Sequence, residues 1–391
     1  MSKLLIARSP DLKRLRDEGY DIEARERFLL VRSFPYLNSR REVHRGTLVC
    51  AIDWAGDQTT TPQTHAAFFI GESPCHENGS PMSQIIIGGG QQLEQGLTVD
   101  HALSAKPFEG RYPDFYEKVR RHAEIICGPA KVVDPNAAPE VFPVIEVTED
   151  ESVFKYADTA SSRAGIAAAS TKLEMGKIGV IGIGGSGSYI LDLLAKTPVK
   201  EIHLFDGDVM LNHNAFRSPG APSVEELREK PLKAEYFQKL YSKMRRGIFA
   251  HSNYVTEANF GELRQLDFVF LSMDGGPAKH FVVQKLQEWG IPFIDVGMGL
   301  ELVKGAVGGI LTVTTSTKGK TDHVLGRIPI VPLERNNDYS RNIQVADLNA
   351  LNAAFAVIKW KKLLGFYHDF EHEHFSAYTL DGNRMNNEDR P

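Results

Sequence analysis

Apolar and polar positions alternate along this chain in blocks of two kinds, short β-branched runs and longer helical ones. Residues 177–181 are an apolar run of the sort that forms a strand buried on both faces. Gly182, Gly184, Gly185 and Gly187 follow, and then residues 189–194, helical in composition and free of breakers. Residues 202–205 read as a second strand that ends on Asp206. Further apolar strands are expected at 266–273, 291–296 and 306–315, with helices opening at Lys233 and covering 346–365. Strand, turn and helix in this alternation predict an α/β, Rossmann-like doubly wound domain over 152–370.

The stretch before it has a different rhythm. A charged helix is expected over residues 1–22, strands at 28–32, 46–53, 66–71 and 84–88, and a helix over 112–127. That order predicts a smaller α+β domain over 1–130. Residues 131–151, rich in proline and acids, read as a linker, and 371–391 as a polar C-terminal tail. Residues 316–342 read as a long polar loop.

Composition narrows the classes. The chain has 391 residues, 42% hydrophobic and 24% charged, with a formal net charge of −5. That is a globular composition, and it argues against nucleic acid or a membrane as the main partner. No run is apolar enough to span a bilayer, and the N-terminus becomes charged too soon for a secretory signal, so a cytoplasmic location is expected. The cysteines are Cys50, Cys75 and Cys127, with no C-x-x-C pair, and no zinc is expected. Cys75 lies in a loop flanked by proline and glycine, as either a reactive or a structural thiol; Cys50 falls in a strand pattern and reads as core. His368, His372 and His374 near the C-terminus read as part of a solvated tail.

A glycine turn between strand and helix lets backbone approach a phosphate, and the helix N-terminus offers unpaired N–H groups. An acid at the end of the second strand is placed to accept from a ribose. Those features alone leave a dinucleotide oxidoreductase open. The segment after Asp206 reads DGDVMLNHNAFRSPG and adds Asp208, Asn214 and Arg217; Lys233 opens a helix and Asp274 ends an apolar strand. Hydride transfer needs none of these extra groups. Cations such as Arg217 and Lys233 suit the charge that grows on departing phosphate oxygens. Asp274 suits Mg²⁺, which takes one or two carboxylates alongside phosphate oxygens.

This arrangement, G-I-G-G-S-G followed by D-G-D-V-x-x-x-x-N-x-x-R, a lysine and a strand-end aspartate, resembles the ThiF-like, ubiquitin-activating superfamily of adenylating enzymes. The resemblance implies ATP and Mg²⁺ as ligands, with Asp206 on the ribose, Asn214, Arg217 and Lys233 on the triphosphate and Asp274 on the metal. It implies that Arg163 reaches across a homodimer into the partner's site. The implied reaction is adenylation of the C-terminal glycine of a ubiquitin-like protein, in a bacterial ubiquitin-like conjugation pathway. The N-terminal part resembles a domain fused to such enzymes and related to ubiquitin-conjugating folds, which implies docking of the modifier or of a conjugating enzyme.

The chain also departs from the family. Met210 replaces a usual valine, and the loop 316–342 holds no cysteine to accept the activated protein. The adenylate then passes directly to a partner, or to Cys75, or to a hydroxyl as an oxyester, for which Ser340 and Ser316 are the candidates and Ser340 is preferred. A serine needs an activating base, and none is evident. A sulfur-carrier-protein adenylyltransferase of cofactor biosynthesis is the alternative reading; it needs no acceptor residue but leaves the N-terminal domain unexplained.

Overall fold

A computed structural model describes residues 2–25, 27–147, 149, 152–328 and 343–390. The chain divides into two compact units, Met1–Val147 with Ala157–Gly165, and Thr148–Tyr156 with Ile166–Pro391.

The first unit is α+β. Its N-terminal helical stretch breaks at Ser9, and α1 (Pro10–Asp17) starts on Pro10, whose missing N–H costs nothing in a first turn. Six antiparallel strands follow: β1 (Asp21–Ala24), β2 (Phe28–Leu37), β3 (Val43–Ala51), β4 (Ala66–Ile70), β5 (Ile86–Gly88) and β6 (His101–Ser104), in the order β1-β2-β3-β4-β6-β5. Helix α2 (Phe115–Val133) begins at Asp114, whose side chain accepts from Glu117 N at 2.8 Å. Leu12 and Leu15, Val31 and Phe34, Leu48 and Phe69, and Phe115 and Val119 share one core. Asp11 is buried among them because it is fully used: it accepts from the backbone N–H groups of Leu12 and Phe115 and from the Thr59 hydroxyl, at 2.8, 3.0 and 2.7 Å.

The second unit holds an eight-stranded sheet. Its strands are β7 (Lys177–Ile181), β8 (Glu201–Phe205), β9 (Ile248–His251), β10 (Phe268–Leu271), β11 (Phe293–Val303), β12 (Ala306–Ser316), β13 (Phe375–Thr379) and β14 (Arg384–Glu388). They lie in the order β9-β8-β7-β10-β11-β12-β13-β14. The first five are parallel and the last three antiparallel. The unit's longest helices are α3 (Gly185–Ala195), α4 (Lys233–Tyr241), α5 (Pro277–Glu288) and α6 (Ala346–Leu363). Ile190, Leu194, Phe237 and Trp360 pack in one core cluster, and Val282, Leu286, Leu263 and Phe293 in another. This is the doubly wound α/β arrangement expected from the sequence. The strand order reverses between β7 and β10, and the crevice at the carboxyl ends of those strands is where such sheets bind ligands.

One expectation needs correction. The stretch 371–391 is not a polar tail: its last part forms β13 and β14, which extend the sheet beyond β12. Just before them, Lys359 of α6 meets Asp369 at 2.9 Å and Glu373 at 3.5 Å, and Lys362 meets Glu373 at 3.2 Å, so these charges are mutually neutralised rather than solvated. His374 is likewise buried, with Nε2 3.2 Å from the Thr317 hydroxyl. Short turns of helix at Thr159–Arg163, Ala167–Ser170 and Thr171–Leu173 precede β7. Within the long loop the short helical turn Val324–Arg327 forms, and Ser340 lies outside the described residues.

Candidate functional site

The site grows from the turn between β7 and α3. Gly182 has φ +85°, and a Cβ there would meet the Ser272 carbonyl oxygen at 2.7 Å. Gly187 allows closer contact still: its Cβ would stand 1.9 Å from the Gly182 oxygen. The turn therefore folds onto itself and onto the end of β10 only with glycine at both positions. Gly184 caps α3, and a Cβ there would meet nothing within 4 Å, which leaves the first turn of the helix open to a ligand. Gly185 is buried at the first helical position.

Asp206, at the end of β8, is 7% exposed and grips this turn. Its Oδ2 accepts from Ile183 N at 2.6 Å and its Oδ1 from Asp208 N at 2.8 Å. Burial raises its pKa above the usual carboxylate value, against the pull of Lys233 and of these two N–H groups. A carboxylate has about four lone-pair sites, so room is left for ribose hydroxyls. Asp208 is held differently. Its Oδ2 accepts from Lys233 Nζ at 2.7 Å, and its Oδ1 accepts from the Tyr254 hydroxyl. Burial pushes its pKa up, but these bonds and the charges of Lys233 and Arg217 outweigh that and hold it below normal. Lys233 itself is 5% exposed, at the start of α4.

Asn214 and Arg217 sit on the short helix Asn212–Ala215 and the turn after it. Asn214 Oδ1 accepts from Leu211 N at 2.9 Å, which fixes the amide. Among the described residues its buried Nδ2 has no hydrogen-bond partner, and neither has the buried Nε of Arg217. Such groups are costly unless a ligand uses them. Asp274 is exposed just beyond the end of β10. The structure thus gathers Gly182, Gly184, Gly185, Gly187, Asp206, Asp208, Asn214, Arg217 and Lys233 around one turn, with Asp274 at the neighbouring strand end. Among the described residues no three His, Cys, Asp or Glu side chains are grouped to hold a metal ion.

Arg163 belongs to the first unit, where its guanidinium lies 5.3 Å from the centre of the Phe142 ring. Cys75 is not a poised thiol: it is fully buried, its Sγ donates to the Ser73 carbonyl at 3.2 Å, and burial raises its pKa. Cys50 and Cys127 are buried as well.

Sequence reasoning missed several supports of the site. Asn349 of α6 is 1% exposed; its Oδ1 accepts from Ser186 Oγ at 3.0 Å and its Nδ2 donates to the Arg217 carbonyl at 3.3 Å. It ties the glycine helix to the Arg217 turn. One turn along the same face, Asn352 donates to the Gly297 carbonyl at 2.9 Å. Two asparagines three apart, Asn349 and Asn352, at the edge of the helix's apolar middle were the available signal. Lys279 and Asp295 form a buried ion pair at 2.6 Å between the first turn of α5 and β11, behind the Asp274 loop. Burial pushes the Asp295 carboxyl up to about 6 even with that partner. An aspartate inside an apolar strand pattern was the clue to it. Tyr254, in the loop after β9, was missed entirely.

No curated protein matches the chain. Among solved structures, E. coli MccB with succinimide is similar at 17% identity over 59% of this chain and 71% of that one, with a TM-score of 0.45. The microcin C7 biosynthetic enzyme MccB in complex with N-formylated MccA is similar at 19% identity over 59% and 69%, also with a TM-score of 0.45. Selenomethionine PaaA is similar at 15% over 57% and 75%, with a TM-score of 0.44. A family model for a domain of unknown function, DUF6791, matches residues 10–159. The ThiF family model matches residues 159–383, more than half of the chain and the whole of the glycine-turn site, and the chain therefore belongs to the ThiF family of ATP-dependent adenylating enzymes.

Proposed function

We propose that this chain adenylates the C-terminal glycine carboxylate of a ubiquitin-like protein, in a bacterial ubiquitin-like modification pathway. The observation that carries the nucleotide part is the pair of buried donors with no partner among the described residues, Asn214 Nδ2 and Arg217 Nε, beside the Asp206–Asp208–Lys233 cluster at the switch point of the sheet. A triphosphate satisfies both donors. In this reading Asp206 receives the ribose hydroxyls, and Gly184 with the first turn of α3 faces phosphate. Asn214, Arg217 and Lys233 bind the remaining phosphate oxygens. Asp274 would supply a carboxylate to a Mg²⁺ ion, whose charge would offset that of the phosphates.

The terminal carboxylate then forms a bond to the α-phosphorus. The bond from that phosphorus to its bridging oxygen breaks, and the electron pair leaves with pyrophosphate. No proton moves in this step, so no general base is needed; what the site supplies is position and positive charge. In a homodimer, Arg163 is the residue assigned to reach the partner's site, and the N-terminal unit the one assigned to dock the modifier or a conjugating enzyme.

The burial of all three cysteines favours passing the adenylate to a partner over an enzyme-bound thioester. It fits the alternative, a sulfur-carrier adenylyltransferase, equally well. The test is ATP–pyrophosphate exchange with a ubiquitin-like protein ending in glycine, native and C-terminally amidated. Exchange with the native protein alone supports the reading, and exchange with neither or with both overturns it. Formation of a lasting amide or ester on a second protein separates conjugation from sulfur transfer.

A further inference from the structure

Asp208 has both oxygens occupied, and its two partners differ in kind. Lys233 is a buried cation at the start of a helix, and among the described residues its ammonium bonds only Asp208. Tyr254 is 62% exposed, so its hydroxyl has water available and yet is spent on Asp208. The ring lies against the backbone of Gly207, where a Cβ would come within 3.0 Å of it. The loop behind Tyr254 is fixed. Asn259 Nδ2 donates to the Tyr254 carbonyl at 3.0 Å, Asn259 Oδ1 accepts from Thr256 N at 2.7 Å, and Val255 is buried.

We propose that Tyr254 is a positioning residue that acts through Asp208 to aim the Lys233 ammonium at the nucleotide's phosphates. This rests on the nucleotide reading above. An aspartate at the end of a strand swings about χ1 and χ2. A single bond to Lys233 leaves that freedom, and the long lysine follows the carboxylate. A second bond from an anchored phenol fixes the carboxylate plane, and the lysine's remaining N–H groups then project in one direction. The arrangement also keeps Asp208 ionised. Lys233, Tyr254 and Arg217 all lower its pKa, while its own burial and Asp206 are the opposing influences.

The test is Tyr254→Phe, which keeps the ring on Gly207 and removes only the hydroxyl, with Tyr254→Leu removing both. A ¹³C-carboxyl NMR titration of the ATP-free protein reads Asp208 directly. Its pKa is expected to rise in Tyr254→Phe, and the acid limb of kcat/KM for pyrophosphate exchange to move to higher pH by the same interval. At neutral pH, kcat/KM is expected to fall about 10- to 100-fold, as loss of one hydrogen bond to a charged group implies, while unfolding stability falls by no more than the Asp208 pKa shift accounts for. An unshifted Asp208 titration and acid limb in Tyr254→Phe overturn the proposal. A loss confined to Tyr254→Leu also overturns it, since the ring and not the hydroxyl would then matter. If the wild-type protein fails to exchange pyrophosphate, the adenylation reading falls, while the NMR arm still decides whether the phenol controls Asp208.

Discussion

Two glycines of the same turn give opposite predictions for the same substitution. In Gly187→Ala the new methyl would stand 1.9 Å from the Gly182 oxygen and 2.7 Å from Ser272 Oγ. Backbone carbonyls in a close-packed turn cannot yield, so the first turn of α3 must withdraw by about 1 Å. Overpacking of that kind costs about 1–3 kcal/mol, and the rigid obstacle puts this case at the upper end. Gly184→Ala meets nothing within 4 Å at φ −82°, so stability should change by less than about 0.5 kcal/mol. If phosphates lie against Gly184, however, the methyl occupies their place, and ATP affinity should drop about 10- to 100-fold, or roughly 1.4–2.8 kcal/mol. Calorimetric unfolding of each variant and isothermal titration with Mg-ATP measure both quantities. Wild-type ATP affinity in Gly184→Ala would refute the placement of the phosphates. A Gly187→Ala protein as stable as the wild type would refute the packing of the turn.

Lys233→Met keeps the alkyl packing and removes the charge. Exchange rate should fall about 10²- to 10³-fold, as for loss of one group that stabilises transition-state charge, while unfolding stability drops by no more than about 1 kcal/mol because Asp208 is half exposed. A tenfold or smaller rate loss would remove Lys233 from the chemistry. For the C-terminal segment, Lys359 and Lys362 more than offset the burial of Asp369 and bring its pKa down to about 2. A carboxyl depressed from its unfolded value near 4 stabilises the fold above that value and loses the effect as pH falls toward 2. The stability advantage of the wild type over Asp369→Asn should therefore be about 2 kcal/mol at pH 5 and vanish between pH 4 and pH 2, as read by urea unfolding. Asp11→Ala strips two backbone donors and the Thr59 hydroxyl of their acceptor and should cost about 2–3 kcal/mol in the first unit's unfolding transition. The native protein should resist iodoacetamide and react at Cys50, Cys75 and Cys127 only after denaturation; mass spectrometry showing rapid native labelling of Cys75 would revive it as an acceptor.

What the sequence made legible was local. A strand, a glycine turn, a helix and an aspartate follow one another within thirty or so residues, and each carries its own signal: β-branched apolar runs, residues tolerating φ +85°, and an acid just past a strand. Asn214, Arg217 and Lys233 were found for the same reason, since they follow Asp206 at short, fixed spacing. The supports that lie far along the chain were not legible. Asn349 meets Ser186 and Arg217 only because α6 packs beside α3, and no local pattern encodes that contact. Asp295 stands out only as a charge within an apolar strand run, and its partner Lys279, sixteen residues earlier on α5, is identified only once the fold buries both. The C-terminal segment looked polar because Asp369, Glu371 and Glu373 crowd together there, and only the fold brings Asp369 and Glu373 back onto Lys359 and Lys362 of α6. Short β9 and the Tyr254 loop behind it carry too few apolar residues to stand out.

The most direct test asks which phosphorus the carboxylate attacks. A ubiquitin-like protein with ¹⁸O in its terminal glycine carboxylate is incubated with the enzyme, ATP and Mg²⁺, and the adenylate is discharged by a strong amine nucleophile. The account predicts one ¹⁸O in the released AMP and unlabelled pyrophosphate. Label in inorganic phosphate with ADP as the other product, or AMP without label, would contradict it.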